Sequence, residues 1–244
     1  MFFSIITPTF NSEKYLKKHI ASLNRQKYTF EQIFIDNLSS DSTLKIIKDN
    51  AKYPHTIISE KDLGIYYAMN KGIEKAKGNF LLFLNSDDWM PDKTLETVQK
   101  KIKKNTNYNI YYGNTNFYKN NIFKFSCKSD IKKIFQVNSI SHQATYYSKE
   151  VFSNYKYDTK YLVASDYDLS IKLVKKNYKF FYIDKTLSNN SLGGYSSNLV
   201  RSFNDFFDIQ KKNNGIRGYV NTIIEYKLRL VTILFKKICK RKSS

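Results

Sequence analysis

Two adjacent carboxylates, Asp87 and Asp88, end an apolar run, Phe80-Leu81-Leu82-Phe83-Leu84, after the polar pair Asn85-Ser86. The run reads as a buried strand. Ending such a strand in two acids costs desolvation and like-charge repulsion unless a cation sits there. Oxygen-only ligands at a strand end suit a hard divalent ion, Mg²⁺ or Mn²⁺, shared with a phosphate group. The plainer reading is an acidic turn, with Asp88 or Asp92 capping a helix that follows Pro91.

Other residues capable of chemistry fall at comparable places. Thr7-Pro8-Thr9-Phe10-Asn11, Asp36-Asn37-Leu38-Ser39-Ser40-Asp41 and Glu60-Lys61-Asp62-Leu63-Gly64 each close an apolar stretch. A second acidic cluster, Ser165-Asp166-Tyr167-Asp168, stands ahead of a helical pattern carried by Leu169, Leu173 and Val174. In an open α/β sheet, ligands bind beyond the carboxyl ends of the strands. Four polar strand ends on one edge therefore argue for a site more strongly than any single motif.

The elements that must hold these residues can be read from hydrophobic period. Phe2 to Thr7 is expected as a strand broken by Pro8, and Ser12 opens a helix with Tyr15, Leu16, Ile20 and Leu23 on one face. Gln32 to Asp36 and Thr56 to Ser59 are strands flanking a helix that starts at Asp41 or Ser42. Ile65 to Lys77 is helical with Gly78 as its stop, and Phe80 to Leu84 is a fourth strand. This alternation implies an α/β fold with a parallel sheet covered on both faces. Beyond about residue 105 the pattern changes. Asn109 to Tyr118 and Ile122 to Phe125 flank a hairpin turn at Lys119-Asn120-Asn121. A strand from Gln143 to Tyr147, a helix from Tyr167 to Lys176 and a strand from Phe180 to Ile183 follow.

The chain has 244 residues, enough for one large domain with a proper core. Lys and Arg number 41 against 21 Asp and Glu, a net charge of +20 that favours anionic partners. Cys127 and Cys239 and the three histidines (His19, His55, His142) form no disulfide framework and no zinc spacing. The first ten residues lack the pattern of a signal peptide, and no uncharged apolar run approaches the roughly 18 residues of a membrane span. The expected location is cytoplasmic, with peripheral attachment to the inner face of the membrane as one option. A tail from about Gly215 mixes Val220, Ile223, Leu228, Val231 and Phe235 with Lys and Arg.

In order and spacing these motifs resemble the family 2 glycosyltransferases of the GT-A fold, most closely those that build bacterial surface polysaccharides. The likeness runs over residues 3–198. It is carried by Ser4 to Asn11, by Phe34 to Thr43, by Asp62-Leu63-Gly64-Ile65-Tyr66 through Asn70-Lys71-Gly72, and by Ala76-Lys77-Gly78 leading into Asn85-Ser86-Asp87-Asp88. The resemblance implies a Rossmann-like, mixed and mainly parallel sheet covered by helices, with a C-terminal helical tail. Residues 1–105 would form the nucleotide-sugar half of one domain and residues 106–198 the acceptor and catalytic-base half. Residues 199–244 would be the basic tail.

The same resemblance assigns roles. Asp36 would accept from the N3–H of a uracil, an edge that thymine shares, or else simply form a turn. Pro8, Thr9 and Phe10 would line the base pocket, Phe10 being equally readable as a core residue. Asp62 would contact base or ribose, Gly64 would allow close backbone approach, and Asn85 and Ser86 would complete the nucleotide site. Asp87, aided by Asp88, would hold Mn²⁺ or Mg²⁺, although Asn85 stands where many members carry Asp. Asp166 would be the catalytic base, or a helix cap. Asn70, His142, Gln143 and Asp168 are candidates for acceptor or sugar contacts, with helix packing an alternative for Asn70 and a core position for His142. Gly193-Gly194-Tyr195-Ser196-Ser197 would be a closing loop or a surface turn.

The implied activity is inverting transfer of a sugar, most simply from a UDP-sugar, to a saccharide or polyprenyl-diphosphate-linked acceptor. The tail would then lie on an anionic membrane, pack on the domain or form a homodimer contact. A nucleic-acid-binding protein is the other class that +20 suggests. It is disfavoured because no RNA-binding signature or zinc module is present and carboxylates at the site would repel phosphates. A non-catalytic relative that binds nucleotide or scaffolds an assembly is the remaining alternative.

Overall fold

A computed structural model describes residues 2–193 and 202–215. The basic tail beyond residue 215 and residues 194–197 of the glycine-containing loop lie outside them. The nucleotide half alternates β1 (Phe3–Thr9), α1 (Glu13–Asn24), β2 (Phe30–Asp36), α2 (Thr43–Asn50), β3 (His55–Ser59), α3 (Ile65–Lys75) and β4 (Phe80–Phe83). Next come α4 (Thr94–Lys104), the hairpin β5 (Ile110–Lys119) and β6 (Ile122–Cys127), and β7 (Thr145–Ser148). The short α5 (Val151–Asn154), α6 (Ser165–Lys175) and β8 (Phe180–Ser191) complete this run. A further helix, α7, covers residues 202–215.

The eight strands among the described residues form one mixed sheet in the order β3-β2-β1-β4-β7-β5-β6, with β8 on β5. β1 pairs parallel with β2 and β4, and β2 with β3. β7 runs antiparallel to both β4 and β5. β5 carries β8 in parallel along one edge, and β7 then β6 along the other. Near-continuous burial of β1, β2 and β4 follows from helices on both faces. One core cluster joins α3 and α6 to the sheet through Ile6, Met69, Phe83 and Leu173. Another joins α4 to the opposite face through Phe3, Leu82, Leu95 and Tyr146.

Several expectations change. Pro8 does not break β1, which continues to Thr9 in register with Asp36. Along a strand, alternate residues face the same neighbour, and the Ile6 carbonyl accepts from Leu84 N at the end of β4. The nitrogen of Pro8 therefore points past the end of that neighbour, where no ladder donor is needed. Gly78 is not the stop of α3, which ends at Lys75. It lies where a Cβ would come within 2.6 Å of the Ser4 backbone nitrogen, so the chain needs glycine for close approach to β1. Neither Asp88 nor Asp92 caps α4; its N-cap is Lys93, and Asp92 pairs with Arg25 at 2.8 Å. The hairpin turn is as expected, with Asn120 and Asn121 both at positive φ, the geometry that a two-residue β-turn demands.

Strand β8 is much longer than the sequence pattern suggests. Irregular pairing at Gly113-Asn114-Thr115 of β5 lets it continue to Ser191. The α7 helix packs on α6, with Ile209 fully buried beside Tyr167 and Ile171. Among the described residues no helix is long and apolar enough to cross a membrane.

Candidate active site

The four polar strand ends are stitched to one another. Asn11, in the left-handed region at φ 45°, donates its N–H to Ser39 Oγ at 2.9 Å, and its own Oδ1 accepts from Ser40 N. Asn37 N donates to Thr9 O, and Asp62 N donates to Asn37 Oδ1 at 2.6 Å. Ser12 Oγ and Ser86 Oγ lie 2.9 Å apart, joining the β1 and β4 ends.

Asp36 is fully buried and saturated. Its Oδ1 accepts from Thr9 Oγ1 and Ser39 Oγ, and its Oδ2 from Ser39 N and Ser59 Oγ. These four bonds use every lone-pair site of a carboxylate. A base could reach Asp36 only if one hydroxyl swung aside. Phe10, Leu38 and Leu63 follow the ends of three adjacent strands and are 59%, 57% and 73% exposed. Phe10 is thus not a core residue. Leu38 and Leu63 join it as apolar surface that sequence reading passed over, although a leucine held at φ 53°, as Leu38 is, was a detectable oddity only with the backbone in hand.

Gly64 opens α3 at φ 151°, a conformation essentially reserved for glycine, and open space lies where its side chain would be. The Asp62 side chain is buried and pairs with Lys71 Nζ at 2.6 Å, which also holds Glu60 at 2.7 Å.

At the β4 end the two carboxylates diverge. Asp88 is buried, and its oxygens accept from Ser191 N at 2.8 Å and Gln143 Nε2 at 3.0 Å. Burial, then the Asp87 charge, pushes its carboxyl well above the usual range. Asp88 therefore faces inward and fastens β4, β8 and the turn at residues 142–144 together, correcting its expected place as a metal ligand. Gln143 is spent on the same lock, its Oε1 accepting from Ser141 Oγ at 2.5 Å. Asp87 takes no side-chain donor among the described residues, and burial raises its carboxyl. Beside it, Asn85 Oδ1 is buried without a hydrogen-bond partner among the described residues.

A carboxylate strained by burial and an orphaned amide oxygen fit a hard cation. Among the described residues no three His, Cys, Asp or Glu side chains gather as a metal site. A cation on Asp87 would thus need phosphate oxygens and water for its remaining ligands, which is how Mg²⁺-type sites are commonly built.

Asp166 stands in the first turn of α6, and the N-cap is Ala164, so it is not a cap. Its Oδ1 accepts from Tyr66 Oη at 2.9 Å and its Oδ2 from His142 Nδ1 at 3.0 Å. Burial alone would raise this carboxyl, but the bonds from His142 and Tyr66 outweigh it and hold the group below the ordinary range. Two other acceptor candidates are committed elsewhere. Asn70 exchanges bonds with both the O and N of Tyr157 at 2.9 and 3.0 Å, a packing role. Asp168 pairs with Lys172 at 2.6 Å and, more loosely, with Lys212 of α7 at 3.7 Å. The residues that sequence reading missed are Tyr66, Ser191 and Asp205. Tyr66 stood in the Asp62-to-Tyr66 motif without a role assigned to it, and Ser191 sat beyond the expected end of β8.

Comparison with known proteins agrees with this arrangement. The family model described as glycosyl transferase family 2 matches residues 4–154. A PGL/p-HBAD biosynthesis glycosyltransferase of Mycobacterium bovis is 30% identical over 207 residues, covering 81% of this chain and 80% of the relative. Among solved structures, residues 1–349 of Staphylococcus aureus TarS in complex with UDP superpose with a TM-score of 0.67 at 20% identity, over 86% of this chain and 64% of that one. The mannosyltransferase PcManGT of Pyrobaculum calidifontis, in complex with GDP-Man and Mn²⁺, gives a TM-score of 0.70 at 14% identity, over 99% of this chain and 75% of that one. At these identities the structures show the fold, which is that of the GT-A glycosyltransferases. On the match of the family model over more than half of its length, the chain belongs to glycosyl transferase family 2.

Proposed function

We propose that the chain is an inverting glycosyltransferase that moves a sugar from a UDP-sugar to a saccharide or lipid-linked saccharide acceptor in surface-glycan synthesis. The observation that carries the reading is the contrast between two carboxylates. Asp87, raised by burial and with no side-chain donor on it among the described residues, is built to meet a cation. Asp166, lowered by the groups that hold it, is built to stay ionised. Unlike environments for two acids are how a site separates binding of a leaving group from management of a proton.

On this reading the uracil lies over the apolar rim of Phe10, Leu38 and Leu63, with its N3–H toward Asp36 once Ser39 or Ser59 yields its bond. Gly64 leaves room for the ribose side of the donor. Asn85 and Asp87 would hold Mn²⁺ or Mg²⁺, which when bound would offset the charge of the departing diphosphate. The charge of Asp166 serves the acceptor hydroxyl, which becomes acidic only as its bond to the anomeric carbon forms. The TarS complex with UDP and the PcManGT complex with Mn²⁺ support the donor and metal class by likeness of fold.

Calorimetric titration with UDP, with and without Mn²⁺, and then with GDP tests the donor site. UDP binding that needs metal and is lost in Asp87→Ala is expected. Equal UDP binding by wild type and Asp87→Ala, indifferent to metal, would remove the proposed cation from the reading.

A further inference from the structure

We propose that the β5–β6 hairpin is a membrane-contact surface whose partner is the anionic headgroup region of a phospholipid bilayer. The contact itself stands on the hairpin alone. Its use, which is to turn the site toward a lipid-linked acceptor, rests on the glycosyl-transfer reading.

Among the described residues β6 is the outermost strand at its end of the sheet, and all six of its residues are exposed. Phe123 and Phe125 are 51% and 49% exposed, and Ile122, beside the turn, is more so. Phe125 stacks on Phe117 at a ring separation of 4.9 Å, whereas Phe123 meets Tyr118 edge-on at 5.7 Å. Phe117 and Tyr118 are successive residues of β5, and successive residues of a strand point to opposite faces. The two exposed phenylalanines therefore lie on opposite faces of the hairpin. The cause is a register shift that sets Phe117 against Phe125 and Tyr118 against Phe123, leaving Lys124 as the extra residue of a bulge.

A protein partner covers one face of such a strand or adds a strand to its free edge. Covering one face would leave the other ring in water. Strand addition needs an even ladder, which a bulge bearing an exposed lysine interrupts. A medium that surrounds the hairpin reaches both rings at once, as the boundary between headgroups and acyl chains does. Charge points to the same partner. Residues 110–129 hold Lys119, Lys124 and Lys128 and no Asp or Glu. Lysines beside apolar side chains bury their stems and leave their ammonium groups at anionic headgroups.

The hairpin also faces the right way. β7 runs antiparallel to both β4 and β5, so β4 and β5 point in the same direction. The turn thus projects from the sheet edge at which Asp87 and Asp88 follow β4. Lys18 of α1 ties the two together. Its Nζ donates to Asn121 Oδ1 of the turn at 2.8 Å and lies 3.0 Å from the ring centroid of Trp89, the residue after Asp88. Tyr118 closes on Trp89 from the hairpin at a ring separation of 4.7 Å. A hairpin seated among headgroups would hold the acidic strand end at the membrane, where a lipid-linked acceptor is presented.

The test is sedimentation of the full chain with vesicles of phosphatidylcholine alone, or of phosphatidylcholine and phosphatidylglycerol in equal parts. Binding to the mixed vesicles, absent from the neutral ones and weakened by salt, is expected. The Phe123→Ser, Phe125→Ser double variant should bind about tenfold more weakly or worse. Lys119→Glu with Lys124→Glu should do the same. UDP affinity by calorimetry should stay at the wild-type value in both, showing that the fold and donor site are intact. No binding to mixed vesicles, equal binding to neutral ones, or wild-type binding by both hairpin variants would each overturn the inference; the last would give the contact to another part of the chain. A wild-type dimer by light scattering that the phenylalanine variant converts to monomer would give the surface to a second copy and overturn it likewise. UDP release from UDP-glucose, UDP-galactose and UDP-N-acetylglucosamine, with Mn²⁺ and water as acceptor, is followed in parallel. A chain that releases no UDP yet binds vesicles through the hairpin would overturn the glycosyl-transfer reading and leave the membrane contact standing.

Discussion

At the scale of single residues, the site is governed by what each polar atom can reach. His19 illustrates this away from the proposed chemistry. It is fully buried, and its Nδ1–H donates to the Asp88 carbonyl at 2.9 Å, since a carbonyl can only accept. Its Nε2 must then accept from Thr7 Oγ1, 3.1 Å away. Burial lowers its pKa from 6.5 to about 4, against smaller opposing effects of the Asp88 and Asn85 carbonyls. Below pH 6.5 the unfolded chain takes up a proton that the folded chain refuses, so stability falls as pH drops and levels off near pH 4. The loss amounts to about 3 kcal/mol. The raised carboxyls Asp87 and Asp88 act in the opposite sense, since their folded forms bind protons more readily. The comparison must therefore be differential. Urea midpoints of wild type and His19→Asn at pH 7 and pH 4.5 should show a markedly smaller acid loss in the variant, and parallel curves would refute the assignment. None of this was legible in the sequence, where His19 was merely a histidine outside any zinc spacing. By contrast Asp36, Asp87 and Asp166 could be picked out because each interrupts or follows an apolar pattern. What could not be read was their partners, which come from residues up to a hundred positions away, as Tyr66 does for Asp166.

At the scale of elements, periodicity recovered nearly every strand and helix of the first half, because buried parallel strands and amphipathic helices differ sharply in pattern. It failed where three-dimensional pairing overrides local pattern. β8 runs through Asp184-Lys185-Thr186 to Ser188-Asn189-Asn190-Ser191, a largely polar stretch, because β5 resumes pairing with it after the irregularities at Gly113-Asn114-Thr115. The extension matters to the site. Asn189 bridges to Trp89 and Ser191 N reaches Asp88, so the acidic strand end is locked from the far side of the sheet. Glycine was misread for a related reason. Gly78 looked like a helix stop, yet its use is to let the α3–β4 connection touch β1, with Gly78 N donating to Ser4 Oγ at 2.8 Å. Gly78→Ala would drive a methyl into the backbone of Phe3 and Ser4, atoms that no rotamer change can move. Thermal or urea unfolding should show destabilisation of about 2–3 kcal/mol. A neutral result would mean that the connection shifts freely and that its closeness to β1 is incidental.

At the scale of the whole molecule, residues 199–244 were expected as a basic tail that would lie on an anionic membrane, pack on the domain or form a homodimer contact. The described part of that stretch, α7, packs on the domain. α7 buries Ile209 in the α6 cluster and sets Phe206 against Tyr167 at a ring separation of 5.2 Å. Asp205, itself buried, accepts from Val163 N at 2.6 Å and Ala164 N at 3.2 Å. Those two N–H groups lie just ahead of α6, whose first turn carries Asp166. The C-terminal helix thus supplies the anchor that fixes where the acidic turn begins, while the nucleotide end of the sheet is held by its own bonds among β1 to β4. The two halves should respond separately. Asp205→Ala removes two charge-assisted bonds and leaves one buried and one half-buried donor, a loss of about 2–3 kcal/mol. It should lower kcat by displacing Asp166 and His142, while UDP affinity in the presence of Mn²⁺ stays at the wild-type value. If UDP affinity falls in step with kcat, α7 stabilises the fold generally and has no particular hold on the acceptor side. If neither changes, the start of α6 is fixed by the sheet alone, and α7 is a passenger on its surface.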